Sequence, residues 1–248
     1  MNSVYILILV FFFIALIYSS VGFGGGSSYL AIMALPVFMF LPNQIRFMAL
    51  ICNIVVVSGS AVIFLSKQKI QLRGLWPYLL PGVVMSYIGG IWKLSDHVYY
   101  LVLSFTLIVA SVLLWFRFKD SEISNNVSAL KKSLVSGFIG LLSGLVGIGG
   151  GIFLSPVMHL FRWAPAAHVS AIAATFILVN SISGLAGQLI HGTPQIETAI
   201  LIPLMLSVFA GGQLGAQIGS GYFDSVWIRR ITAIVILLAA LVLLKEHL

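Results

Sequence analysis

The chain has 248 residues, 60% hydrophobic and 8% charged, with a mean hydropathy of +1.12 and a formal net charge of +7. Soluble domains carry about 25% charged residues, so this composition excludes a water-soluble fold and makes the chain an integral membrane protein. Its single cysteine, Cys52, excludes an intramolecular disulfide, and its basic residues never run beyond two in a row, which argues against a nucleic-acid partner.

The first apolar stretch, 3–41, contains no charged residue. As one straight helix it would extend ~58 Å at 1.5 Å per residue, about twice the ~30 Å hydrocarbon core. The run Gly22-Phe23-Gly24-Gly25-Gly26 divides it into segments over 3–20 and 24–41. No Lys or Arg precedes the first segment and no small-x-small site follows it, so it is read as part of the mature fold and not as a signal peptide. Further segments are predicted over 45–65, 74–92 and 97–116, then 133–146, 148–161, 166–190, 196–218 and 226–244. Turn residues and charges separate them, at Pro42-Asn43, Lys67-Gln68-Lys69, Ser95-Asp96, Pro165, His191 to Pro194 and Asp224. Aromatic residues such as Trp76, Tyr78, Trp92, Trp115, Trp163 and Tyr222 mark the segment ends, as interfacial anchors do.

The glycine run recurs as Gly147-Ile148-Gly149-Gly150-Gly151, a constant 125 residues later. Two related repeats follow, 1–118 and 133–248, joined by a polar cytoplasmic linker at 119–132. The expected fold is therefore an all-α polytopic membrane protein in which each repeat is a glycine-broken helical hairpin plus three transmembrane helices. An odd number of crossings inverts the second repeat; the alternative is eight spans with parallel repeats. Charge counting separates the two. With hairpins, 10 basic residues face one side and three (Arg46, Lys93, Lys245) the other, whereas eight spans give 8 against 5. The positive-inside rule favours the hairpins, with both termini outside the cytoplasm.

A glycine cluster in hydrocarbon weakens a helix where backbone groups cannot turn to water. Gly22/Gly26 and Gly147/Gly151 have the GxxxG spacing of close helix packing. Equally, each cluster can unwind the chain and start a half-helix, at Ser27 and Ile152, whose free N–H groups and dipole attract an anion. Paired breaks at matching points of two half-chains are the sequence mark of a transporter site. The candidate substrate-binding residues are Gly24, Gly25, Gly26, Ser27, Ser28 and Asn53 in the first repeat, with Gly149, Gly150, Gly151, Thr175, Asn180 and Gln213 in the second. Amides in hydrocarbon need partners and can donate to an anion's oxygens. Arg46 and His168 stand near segment ends, where they read as interfacial snorkelling residues or, alternatively, as groups that attract an anion or relay protons. No carboxylate lies deep in a segment, and no paired cysteines or HExxH are present. An enzyme, a metal centre and a cofactor are therefore not expected.

The duplicated GxGGG, followed by Pro36 in one repeat and Pro156 in the other, resembles the TauE/SafE sulfite-exporter family. The similarity extends over nearly the whole chain, through His191-Gly192, Gly89-Gly90 and Gly215-Ala216. The chain departs in carrying Asn53 where a Thr-Ser pair is common, with Thr175-Phe176 in the second repeat. The resemblance implies a permease for a small sulfur-containing anion (sulfite, a sulfonate or a similar organosulfur anion) in the bacterial inner membrane. Its partners would be that substrate and the lipid bilayer, with room for a homo-oligomer. An anion channel and a non-transporting subunit of a membrane complex are the competing readings.

Overall fold

The computed structural model describes residues 2–20, 22–68, 75–115, 128–218 and 225–247. These form helices α1 (Asn2–Ser19), α2 (Gly26–Met33), α3 (Pro42–Gln68), α4 (Trp76–Ile91) and α5 (Asp96–Trp115). After the linker come α6 (Ala129–Val146), α7 (Gly151–Leu160), α8 (Ala166–Leu189), α9 (Thr198–Ile218) and α10 (Ser225–His247). No strand occurs among the described residues. Residues 119–127 of the expected linker lie outside the described residues, as do Tyr222 and Asp224; α6 begins at Ala129 with Ser128 as its N-cap.

Among the described residues, five helices, α3, α5, α6, α8 and α9, are long and apolar enough to cross a membrane. The 8 residues of α2 and the 10 of α7 reach only about 12 and 15 Å, half the hydrocarbon core. The segment expected over 24–41 is thus shorter than its hydropathy suggests: α2 stops at Met33 and is followed by a 3-10 turn over Pro36–Phe38. Pro36 is the cause, because the residue before a proline is pushed out of the helical region, and Leu35 stands at ψ 137. Past each half-helix one non-glycine residue takes the left-handed conformation, Met39 after α2 and Arg162 after α7, both at φ 54.

The helices assemble into two groups. In one, α4, α6 and α8 run parallel. Ser133 Oγ donates to Pro77 O at 3.2 Å near one end, while Gly140 and Gly144 lie against Gly82 and Ser86 further along. Along α8, Gly82 lies on Phe176 and Gly90, further along, on Gly184, with Ser86 Oγ donating to Asn180 O (2.8 Å) between them. In the other group α1, α3 and α9 run parallel. Ser207 Oγ donates to Ile8 O at 2.6 Å, and Gly211 and Gly215 lie on Phe12 and Leu16. Gln44 Nε2 reaches Gln195 O at 2.6 Å, with Gly212 on Val56 further along. The groups join where α3 meets α8 in opposite directions: Asn43 lies beside Gln188 at one end, and Ala61 and Phe64 pack with Ala171 and Ala174 at the other.

The half-helices fold back on the helices before them. Phe11 of α1 stacks on Tyr29 of α2 at 4.4 Å, and Lys131 at the start of α6 sits 4.7 Å over Phe161, just past α7. Outside, α5 and α10 pair antiparallel, with Tyr100 stacked on His247 and Arg230 over Trp115. Most contacts of α1–α5 with α6–α10 have a counterpart: α4–α6 with α9–α1, α4–α8 with α9–α3, and α5–α7 with α10–α2. Large apolar side chains such as Leu80, Val84, Phe105, Phe138 and Leu206 point outward, as bilayer-facing residues do. The chain is a multi-pass membrane protein.

The seams run on close backbone approach, which gives a test within one helix. A Cβ on Gly144 would overlap the backbone carbonyl of Ser86, whereas one on Gly137 would meet Met85 Cγ at an ordinary 3.4 Å. Gly144→Ala should cost about 1–3 kcal/mol of overpacking, while Gly137→Ala should be neutral or stabilise by up to about 1 kcal/mol. Thermal unfolding in detergent measures both; equal melting of the two variants would rule out the α4–α6 seam described here.

Candidate functional site

The site starts from what glycine alone can do. Gly22 and Gly25 stand at φ 82 and 86, and Gly147, Gly149 and Gly150 at φ 90, 84 and 83. Side chains with a Cβ avoid this region. The chain therefore turns twice within each cluster and re-enters a helix. The restarts fall at Gly26 and Gly151, one residue before the expected Ser27 and Ile152, because Gly25 and Gly150 serve as the N-caps. Gly25 O accepts from the amides of Ser28 and Tyr29, and Gly150 O from those of Phe153 and Leu154. The amides of Gly26, Ser27, Gly151 and Ile152 come before the first helical bond, at the positive ends of their dipoles.

Asn53, fully buried on α3, lies between the two breaks. Its Nδ2 donates to Ile148 O at 3.0 Å, and its Oδ1 has no protein partner. Backbone closes around this amide from both sides: a Cβ on Gly24 or Gly26 would overlap it, and one on Gly149 would stand 2.8 Å from Nδ2. Gly24, Gly26, Gly149 and Asn53, named from sequence as far apart as 125 residues, are thus brought to one place.

The other candidates are distributed around it. Gly25 turns toward Tyr29 and Ile14, Gly150 toward Phe176 and Ser143, and Gly151 against Ile177. Asn180 is fully buried beside Gly82 and Phe176, with neither side-chain amide atom bonded. Ser27 is buried in the first turn of α2, and Ser28 is taken by the Tyr18 hydroxyl at 2.5 Å. Thr175 Oγ1 donates to Ala171 O of its own helix at 2.8 Å, so its hydroxyl is already used. Gln213 is half-buried and packs over Gly59.

Sequence reasoning passed over Ser143 and Ser181, whose buried hydroxyls have no partner. Ser181 lies 3.0 Å from where a Gly149 Cβ would stand. The available signal was periodic: Ala173, Ile177 and Ser181 share one face of α8, and Ser143 stands one turn before Gly147. The interfacial reading of Arg46 is also corrected. Only 6% of it is exposed, and its guanidinium is bonded to backbone carbonyls inside the protein.

A buried donor without an acceptor costs about 1–3 kcal/mol. Ser143 Oγ and Ser181 Oγ are such donors beside the start of α7, and Asn180 Nδ2 is another, beside Gly82 of α4. The described carboxylates, Asp96, Glu197 and Glu246, are all exposed at helix ends. Unpaired donors away from these carboxylates suit the oxygens of a small anion, while Asn53 Oδ1 and Asn180 Oδ1 stand unpaired as acceptors.

The family model for the sulfite exporter TauE/SafE matches residues 7–243. A probable membrane transporter protein of Sinorhizobium fredii, y4hK, is 33% identical over 96% of this chain and 97% of its own length. A probable membrane transporter protein of Methanocaldococcus jannaschii, MJ0441, is 25% identical over 86% of this chain and 85% of its own. No solved structure matches. With the match covering nearly every helix described above, the chain belongs to the sulfite exporter TauE/SafE family of membrane transporters.

Proposed function

We propose that this protein is a secondary transporter that exports a small sulfur-containing anion, sulfite or a sulfonate, across the bacterial inner membrane. The carrying observation is the meeting of two glycine-capped helix starts around the single amide of Asn53, beside unsatisfied donors and far from any described carboxylate. Gly24, Gly25, Gly26, Gly149, Gly150 and Gly151 shape the cradle, and Asn53 and Asn180 supply side-chain amides. The family's description names sulfite, which fits a site built of dipoles and uncharged donors.

The reading includes inverted repeats. It is supported by helix direction: α6 runs with α4 and α8, α1 runs with α3 and α9, and α3 opposes α8, so α1 and α6 point oppositely. It is supported also by charge. Lys131, Lys132, Arg162 and Arg230 lie at the end where α6 begins, whereas Lys69, Arg73, Arg117 and Lys119 lie outside the described residues. The basic end is cytoplasmic on this reading. The C-terminal His247 stacks on Tyr100, which bonds Phe40 O at the opposite end.

Asn53→Asp tests the site with almost no change of volume. A unit charge about 4 Å from the anion, at an effective dielectric of 20, opposes binding by about 4 kcal/mol. Sulfite affinity and efflux from proteoliposomes should fall at least about hundredfold, while Thr175→Ala should stay within about twofold because its hydroxyl serves its own helix. Normal flux from a well-folded Asn53→Asp protein would place the substrate elsewhere. Saturable counterflow is expected of the wild type, and a large single-channel conductance would replace the carrier with a channel.

Topology has its own test. A C-terminal alkaline phosphatase fusion should be active and the matching green fluorescent protein fusion dark. The reverse pattern would restore eight spans and parallel repeats.

A further inference from the structure

We infer that Arg46 is a latch that closes the end of the cleft opposite the basic loops, and that the two ends are closed unequally because the matching position of the other repeat carries Ser170. The inference rests on the transporter reading, since a latch matters only where the ends open in turn.

Arg46 stands on α3, in the group of α1, α3 and α9, yet its guanidinium reaches into the other group. Nη2 donates to Gly144 O at the end of α6 (2.8 Å) and to Gly90 O and Gly89 O at the end of α4 (3.2 and 3.3 Å). Nη1 points at Trp92 O at 3.4 Å, and Nε is buried without a partner. These acceptors are the closing carbonyls of two helices, where the dipole is negative. One nitrogen, Nη2, thus bridges the two helix ends while the planar guanidinium holds Nη1 toward Trp92 O, a rigid set of donors that a single ammonium does not reproduce. Gln188 Nε2 to Asn43 O, at 2.7 Å, ties the same two groups at the same end.

The carbonyls also explain why Arg46 is not a substrate ligand. Their partial negative charge surrounds the cation and repels an anion. Closure is what the arrangement achieves: if α4 and α6 moved away from α3, a guanidinium with 6% exposure would lose its partners in a low-dielectric interior. Water must enter before that end can open.

The repeats place Arg46 and Ser170 at matching stations. A Cβ on Gly147 would lie against the backbone and Cβ of Arg46, and one on Gly22 would lie against the backbone and Cβ of Ser170. A serine hydroxyl is too short to span to two neighbouring helix ends. Ser170 therefore gives α8 no such fastening, and on this inference the resting protein favours closure at the Arg46 end.

Cys52 supplies the reporter. It is the chain's one thiol, fully buried next to Asn53. In sealed vesicles, a small membrane-impermeant cationic methanethiosulfonate is confined to the side carrying the C-terminus, with no substrate present. Wild-type Cys52 should label slowly. Arg46→Ser, which copies the other repeat, should label at least about tenfold faster, and Arg46→Lys, which keeps the charge but not the fork, should fall between. An unchanged rate in Arg46→Ser of wild-type chromatographic behaviour overturns the latch. If Arg46→Ser does not fold, an Arg46→Lys protein labelling at the wild-type rate overturns it equally. Wild-type protein without sulfite flux would undo the transporter reading, yet leave these labelling rates to be judged alone.

Discussion

Within hydrocarbon every backbone N–H and C=O must find its partner inside the protein. A helix meets that demand by itself; a broken helix cannot. Two breaks in the same membrane protein are therefore tolerated only where they meet other protein groups. Here the loose carbonyls are answered one by one: Ile148 O by Asn53, Gly25 O and Gly150 O by their own restarting helices, and Gly89, Gly90 and Gly144 O by Arg46. The amides of Gly26, Ser27, Gly151 and Ile152 precede the first helical bonds of α2 and α7, at the positive ends of their dipoles. Unpaired side-chain atoms of both kinds lie beside them, the hydroxyls of Ser143 and Ser181 and the acceptor Asn53 Oδ1.

The same constraint explains the glycine seams. Neighbouring helices must come close enough to shield the breaks, and side chains would hold them apart. Gly140 and Gly144 admit α4 against α6, as Gly211 and Gly215 admit α1 against α9. The close-packing and site-forming readings of glycine are thus both at work, at different glycines. At Gly25 and Gly150 they cannot be separated by substitution, because even alanine meets a positive φ. The amide of Asn53 is the cleaner probe.

Hydropathy made most of the helices legible to within a few residues, because apolar length sets where a chain can cross. It failed after Met33, where one proline outweighed a continuous apolar stretch. Among the polar candidates, legibility depended on how many partners a group needs. Asn53 stands out in the sequence, since an amide in hydrocarbon cannot satisfy itself. The bond of Thr175 Oγ1 to its own helix does not show there, since a hydroxyl can turn either to its backbone or to a neighbour. Arg46 was hidden for a third reason. Its charge and its place near Pro42 suggest a helix end at the interface, while its acceptors are carbonyls on α4 and α6, up to 98 residues away, and a carbonyl carries no sequence signal.

On the inverted-repeat reading proposed above the chain holds two matching frames, and they differ at particular residues. Asn53 sits between the breaks where the other repeat offers Ile177, and Arg46 stands opposite Ser170. Two like frames thus share one amide and one internal cation. This asymmetry does not set the direction of transport. In a passive carrier the free-energy difference between the two closed forms cancels around the cycle, so Arg46 can fix the resting form and the rate of opening but not the direction of net flux. Direction must come from the membrane: an inside-negative potential favours anion exit by about 2.3 kcal/mol per charge per 100 mV. Asp96, Glu197 and Glu246, the described carboxylates, are all exposed, so none of them is a buried acid for coupling to a cation. On the transporter reading proposed above, Arg46 sets which end rests closed, and the membrane potential sets which way an anion runs.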